Sequence, residues 1–139
     1  MTRTNRNRRV MNLAAPHLLT NELVTATGVV WAVSTDRPAR LLFRGRHQRW
    51  LALTDRRLLL FDRRRRHGLM LAKSWGGLRL ERSRRTLLLR QLLIDGGADR
   101  LLVLEFRPRE HALGDAVARA LQADAGIGAV VGAVGDLKP

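Results

Sequence analysis

The chain has no cysteine, no tyrosine and only two lysines against 24 arginines. No apolar run approaches the roughly 18 residues that a membrane-spanning helix needs. Without cysteine there is no disulfide framework, no zinc-thiolate site and no thiol nucleophile, a composition that fits a reducing compartment. The basic start, Arg3 to Arg9, is followed by a stretch that Asn12, Pro16 and His17 interrupt, which makes a poor export core. These absences set the expected location as cytoplasmic, at most against the inner face of a membrane. His17, His47, His67 and His111 are far apart in sequence and have no carboxylate pair near them, so no metal site is expected. The acids are scattered, with no pair placed for general acid–base work. A Gly-x-Ser-x-Gly elbow, a P-loop and a dinucleotide fingerprint are all missing. The expectation is a protein that is not an enzyme and carries no cofactor.

What is present in excess is positive charge. The formal net charge is +14, and it is lopsided. Residues 1–90 hold 21 basic and 5 acidic side chains, whereas residues 91–139 hold 5 and 7. Arginine over lysine is what GC-rich coding writes, but the excess over acid is independent of that choice. Such a field attracts polyanions.

Residues 1–20 read as a basic arm without a sustained period, and residues 21–123 as the folded domain. Glu22 to Val33 is a strand candidate. Leu23, Thr25, Thr27, Val29, Trp31 and Val33 lie on one face, and the small residues Val24, Ala26, Gly28, Val30 and Ala32 on the other. Gly28 marks a candidate bulge or bend. Further strands are expected at 40–44, 49–54, 57–62, 78–82, 86–94 and 100–106, with 69–73 ambiguous. Thr54-Asp55-Arg56-Arg57 forms a tight corner, where Asp55 gives the two arginines a local partner. Asp95 to Asp99 is a glycine-rich hairpin loop. From Pro108 the period changes. Leu113, Val117 and Leu121, at i, i+4 and i+8, make one apolar stripe on a helix of about four turns. Its partner must be a sheet, with Leu51, Leu53, Leu89, Leu102 and Leu104 expected beneath it, because no other helix is evident. Residues 124–139 form a Gly/Ala/Val-rich tail, readable as a flexible end, a docked strand or an association segment.

Seven strands followed by one helix suggest a bent antiparallel sheet or small barrel, capped at one opening. The run Leu51-Ala-Leu-Thr-Asp-Arg-Arg-Leu-Leu-Leu-Phe61 resembles the hydrophobic-Leu-Thr-Asp-Arg-Arg-Leu strand pair of the pleckstrin-homology-like superfold, in particular its bacterial PH and GRAM-type domains. Leu19-Thr-Asn-Glu22 is similar to the opening turn of that family. Leu78-Arg-Leu-Glu81, the Asp95-Gly-Gly97 hairpin and Phe106 with the helix after it follow the later pattern. The likeness covers residues 18–123. It implies a mainly β PH-like fold and a non-catalytic adaptor or binding role, and it transfers no ligand.

The candidate anion-binding residues form three clusters. Arg40, Arg44, Arg46 and Arg49 flank one turn together with His47; Arg44 and Arg46 fall on the same side of an extended chain. Arg63, Arg64, Arg65 and Arg66 repel one another and so belong in a solvated loop. Arg82, Arg84 and Arg85 mark another turn. Trp31, Trp50, Phe61 and Phe106 are expected in the core, and Trp75 beside Gly76-Gly77 is the one candidate for an exposed aromatic. The leading functional expectation is an interaction module whose basic loops meet anionic lipid headgroups or an acidic protein. A nucleic-acid-binding protein using the arm and loops is the alternative, disfavoured by the shortage of free aromatics and of a recognition helix. A subunit of a larger assembly is the third. No small-molecule substrate is inferred, and the oligomeric state stays open.

Overall fold

The computed structural model describes residues 3–36, 47–63, 68–98 and 100–136, with 3–4, 35–36 and 124–136 described as backbone. The order is α1 (Arg3–Ala14), β1 (Val24–Asp36), β2 (His47–Thr54), β3 (Arg57–Asp62), β4 (Leu69–Ser74), β5 (Arg79–Arg85), β6 (Arg90–Gly97), β7 (Arg100–Phe106) and α2 (His111–Asp136). Single 3-10 turns lie at Ala15–His17, Trp75–Gly77 and Pro108–Glu110. All seven strands form one antiparallel sheet in the order β4-β3-β2-β1-β7-β6-β5. β1 is shared: its first part pairs with β2 and its last part, from Trp31, with β7. That sharing curls the sheet into a half-barrel around one core.

The alternation of β2 and β3 builds two separate apolar layers. Leu51, Leu53, Leu58 and Leu60 face inward, where they join Leu92, Ile94, Leu102 and Leu104 beneath Leu113, Val117 and Leu121 of α2. Trp50, Ala52, Leu59 and Phe61 face outward, where Val10 and Ala14 of α1 cover them. The expected helix stripe and its strand partners therefore meet, with one exception. Leu89 is only half-buried and stands outside that core, because the strand expected from Thr86 starts at Arg90. Thr86 closes a turn instead: its N–H donates to the Leu89 carbonyl at 2.8 Å, and its hydroxyl accepts from the Leu89 N–H at 3.1 Å.

Other expectations are corrected. The ambiguous segment 69–73 is β4, and the strand expected at 40–44 lies outside the described residues. The segment read as an arm contains α1, so α2 is not the only helix. The backbone of 124–136 continues α2, which has 26 residues rather than about four turns. Trp75 is buried, and its indole N–H donates to the Thr54 carbonyl at 2.9 Å. Trp50, Phe61 and Phe106 are buried as expected. Trp31 is half-buried, with the Arg107 guanidinium 5.4 Å from its ring centroid. Arg57 pairs with Glu22, Nη2 to Oε1 at 2.6 Å, rather than with Asp55. Asp55 instead accepts from the Leu23 N–H at 2.9 Å.

The small face of β1 has a specific use. The bulge sits at Val24–Ala26, not at Gly28. Gly28 is the point where the start of α2 approaches the sheet. A Cβ there would stand 2.5 Å from Glu110 Oε2 and 2.6 Å from Leu113 Cδ2. The leucine is packed in the core and has little room to yield, so Gly28→Ala is expected to cost about 1–3 kcal/mol by overpacking. Urea midpoints of variant and parent check this; coincident curves would show that α2 can lift off freely.

Candidate anion-binding surface

The outward layer of β2 and β3 places the densest basic group. Arg63 follows Leu59 and Phe61 on the outer side of β3 by the two-residue period. Its guanidinium lies 4.3 Å from the centroid of the buried Trp50 ring, and that of Arg9 lies 5.9 Å from the same ring. An indole face attracts cations through its quadrupole, which helps to hold two like charges near one point. Arg63 Nη1 also donates to Gln48 Oε1 at 2.6 Å. Burial, and then the positive charges of Arg6 and Arg9, lower the pKa of Arg63 from its ordinary value. The guanidinium is therefore both partly desolvated and held against its own kind. Arg6 contacts Glu110 Oε1 at 3.5 Å. On the solvent side of α1, Arg8, Arg9, Asn5, Asn12 and Leu13 line a shallow open concavity of about 370 Å³. The arrangement offers several N–H donors to anionic oxygens.

Arg49 has a different setting. It points inward at the mouth of the half-barrel and pairs with Asp62 at 3.2 Å. Across the mouth, Arg100 Nη2 donates to Ser34 Oγ at 3.3 Å. Between them lies a cavity of about 330 Å³ with walls that include Ala32, Leu60, Leu71 and Leu102. Arg40, Arg44 and Arg46, which would join Arg49, lie outside the described residues, as do Arg64, Arg65 and Arg66.

Arg82, Arg84 and Arg85 are exposed on β5. Arg85 reaches Asp115 of α2 at 3.2 Å, and so does the buried Arg90. Arg90 also donates to Ser83 Oγ. The structure does not bring this cluster to Arg63. Four strands separate β3 from β5 in the sheet. The pairing of Arg90 with Phe106 and of Asp36 with Arg100 puts the β5–β6 turn and the β6–β7 turn at opposite ends. Sequence reasoning missed Arg6, Arg8 and Arg9 as members of a folded site. The available signal was Val10, Leu13 and Ala14, a short i, i+3, i+4 stripe.

Among the described residues, no group of three His, Asp or Glu side chains could hold a metal, and no helix is long and apolar enough to cross a membrane. No protein-family model and no curated protein sequence matches the chain. Solved structures do. A structure of Vav1 inhibited by an allosteric inhibitor is 16% identical, covering 88% of this chain and 33% of that one at a TM-score of 0.57. A second, reporting the PH and C1 domains of the Vav1 exchange factor, is 19% identical, with 84% and 31% covered at 0.53. The Vps36 N-terminal PH domain is 17% identical, with 76% and 83% covered at 0.51. The chain thus spans about a third of the Vav1 chains it matches. The likeness is one of fold. Seven antiparallel strands in a half-barrel with a C-terminal helix are the PH-like arrangement that the sequence led us to expect.

Proposed function

We propose that the protein is a non-catalytic PH-like interaction module that attaches reversibly to an anionic membrane surface. Arg6, Arg8, Arg9 and Arg63 form the centre of the contact. Arg64, Arg65 and Arg66 extend it in sequence, and Arg40, Arg44 and Arg46 are a second set of contacts. The observation that carries this reading is the placing of the Arg9 and Arg63 guanidinium groups over one indole, with the charge of Arg6 also acting on Arg63. Folding opposes such crowding, and a layer of anionic headgroups relieves it. The charge is displayed along the outside of a helix rather than inside a groove, which suits a plane better than a protein peptide. Each arginine near an anionic leaflet contributes about 1 kcal/mol, so four give weak, reversible attachment. The reading places the protein at the cytoplasmic leaflet, whose surface potential is negative.

Co-sedimentation with phosphatidylcholine vesicles, with and without phosphatidylserine, tests it. Binding is expected only with phosphatidylserine and should weaken steeply with salt. Arg8→Glu with Arg9→Glu should weaken it by about tenfold or more. Equal binding to both vesicles, or none, overturns the reading. Duplex DNA that strips the protein from the vesicles at physiological salt would favour nucleic acid instead.

A further inference from the structure

The most exposed large apolar side chains among the described residues are adjacent: Leu87 at 89% and Leu88 at 71%. They occupy the β5–β6 turn, which the membrane contact just described does not use. The turn is well built. Its backbone is closed by the Thr86 and Leu89 hydrogen bonds, and its base is braced where Asp115 holds both Arg85 and Arg90. On the strand leading into it, Arg82 and Arg84 are exposed and have no acidic partner among the described residues.

We infer that this turn is a membrane-insertion tip: Leu87 and Leu88 enter the acyl boundary of an anionic bilayer while Arg82 and Arg84 meet its headgroups. The inference rests on the reading that the protein meets such a bilayer, and it adds a second point of contact. A rigid turn holding two leucines in water loses hydration free energy that even shallow insertion recovers. A protein partner fits the tip less well. A stable protein interface needs about 800 Å² from each side, which two side chains on a convex turn do not supply. A bilayer needs only a basic collar and a small apolar wedge, the two-signal arrangement of reversible membrane binders.

The absence of cysteine makes a direct test simple. Leu88→Cys carries an environment-sensitive fluorophore at the tip. With phosphatidylserine-containing vesicles, emission at position 88 should shift to the blue and be quenched by nitroxide-labelled lipid, and with phosphatidylcholine alone it should do neither. Leu87→Asp with Leu88→Asp should weaken vesicle binding about tenfold, or about 1.4 kcal/mol, with Tm unchanged because neither side chain is buried. If unlabelled parent protein fails to bind anionic vesicles, the proposed function falls and this inference with it. If the parent binds but position 88 stays aqueous, the tip alone is refuted. Shielding of position 88 without vesicles, rising with protein concentration, would mean that a second copy covers the leucines and would also refute it.

Discussion

Val117→Asp is expected to leave the chain unfolded at neutral pH. Val117 has no exposed surface and sits in a core made of Leu51, Leu53, Leu92, Leu104, Leu113 and Leu121 with their neighbours. Losing a buried valine forfeits about 1.5–3 kcal/mol of transfer free energy. Placing a carboxyl group among hydrocarbons costs several kcal/mol more, whether it stays ionised or takes up a proton. A domain of this size has about 5–15 kcal/mol in total, so the two costs together reach the margin. The matched control is Arg119→Asp, two residues on and exposed, where about 0.5 kcal/mol is expected. Far-UV circular dichroism and thermal melts separate the two. If Val117→Asp melts like the parent, α2 does not pack on the sheet as described.

The parts legible in the sequence are those whose signal is local and unopposed. The Trp50–Phe61 hairpin shows because two apolar runs flank a four-residue corner, although runs apolar throughout do not tell one face from the other. The α2 stripe shows because Leu113, Val117 and Leu121 repeat over two turns among smaller residues, with Asp115 and Arg119 off the stripe. α1 was hidden by its surroundings. Four arginines and three asparagines within Arg3–Ala14 swamp a stripe that needs only Val10, Leu13 and Ala14. The run Leu87-Leu88-Leu89 misled in the opposite direction. Three leucines read as buried strand, yet the Thr86 hydroxyl satisfies the Leu89 N–H and favours a turn. Trp75 looked exposed beside two glycines, because its partner, the Thr54 carbonyl, lies 21 residues away.

The candidate site was half legible for the same reason. Arg63 stood out as the head of a charge run, but what singles it out is the Trp50 face and the arrival of α1. Neither is written near Arg63 in the chain. Arg49 looked equivalent to Arg63 by composition. Strand parity sends it to the inner face, where Asp62 neutralises it. Equal charge in the sequence thus becomes unequal surroundings in the fold: Arg49 faces Asp62 inside the mouth, and Arg63 faces Trp50 and the arginines of α1 outside.

Glu22→Ala is expected to cost about 3 kcal/mol, because it strands a partly buried guanidinium. The Glu22 side chain is fully buried, and four donors converge on it. Arg57 supplies Nε at 2.9 Å and Nη2 at 2.6 Å, Thr54 its hydroxyl at 2.6 Å, and Leu19 its backbone N–H at 2.9 Å. This carboxylate ties the segment before β1 to the β2–β3 corner, across 35 residues of sequence. The Arg57 hydrogen bonds outweigh burial and, helped by Thr54 and Leu19, lower its pKa from 4.5 to about 2. A carboxylate whose pKa falls on folding stabilises the native state fully above its unfolded value. That contribution disappears as the pH drops from 4.5 toward 2. The gap between parent and Glu22→Ala in urea midpoint should therefore be wide at neutral pH and narrow steadily through that window. Glu22→Gln keeps the shape, loses the charge and has no proton to take up, so its own stability should lack the Glu22 component of the parent's acid sensitivity. A gap between parent and Glu22→Ala that stays constant across the window would mean that the ionised form of Glu22 gives the fold nothing beyond its size.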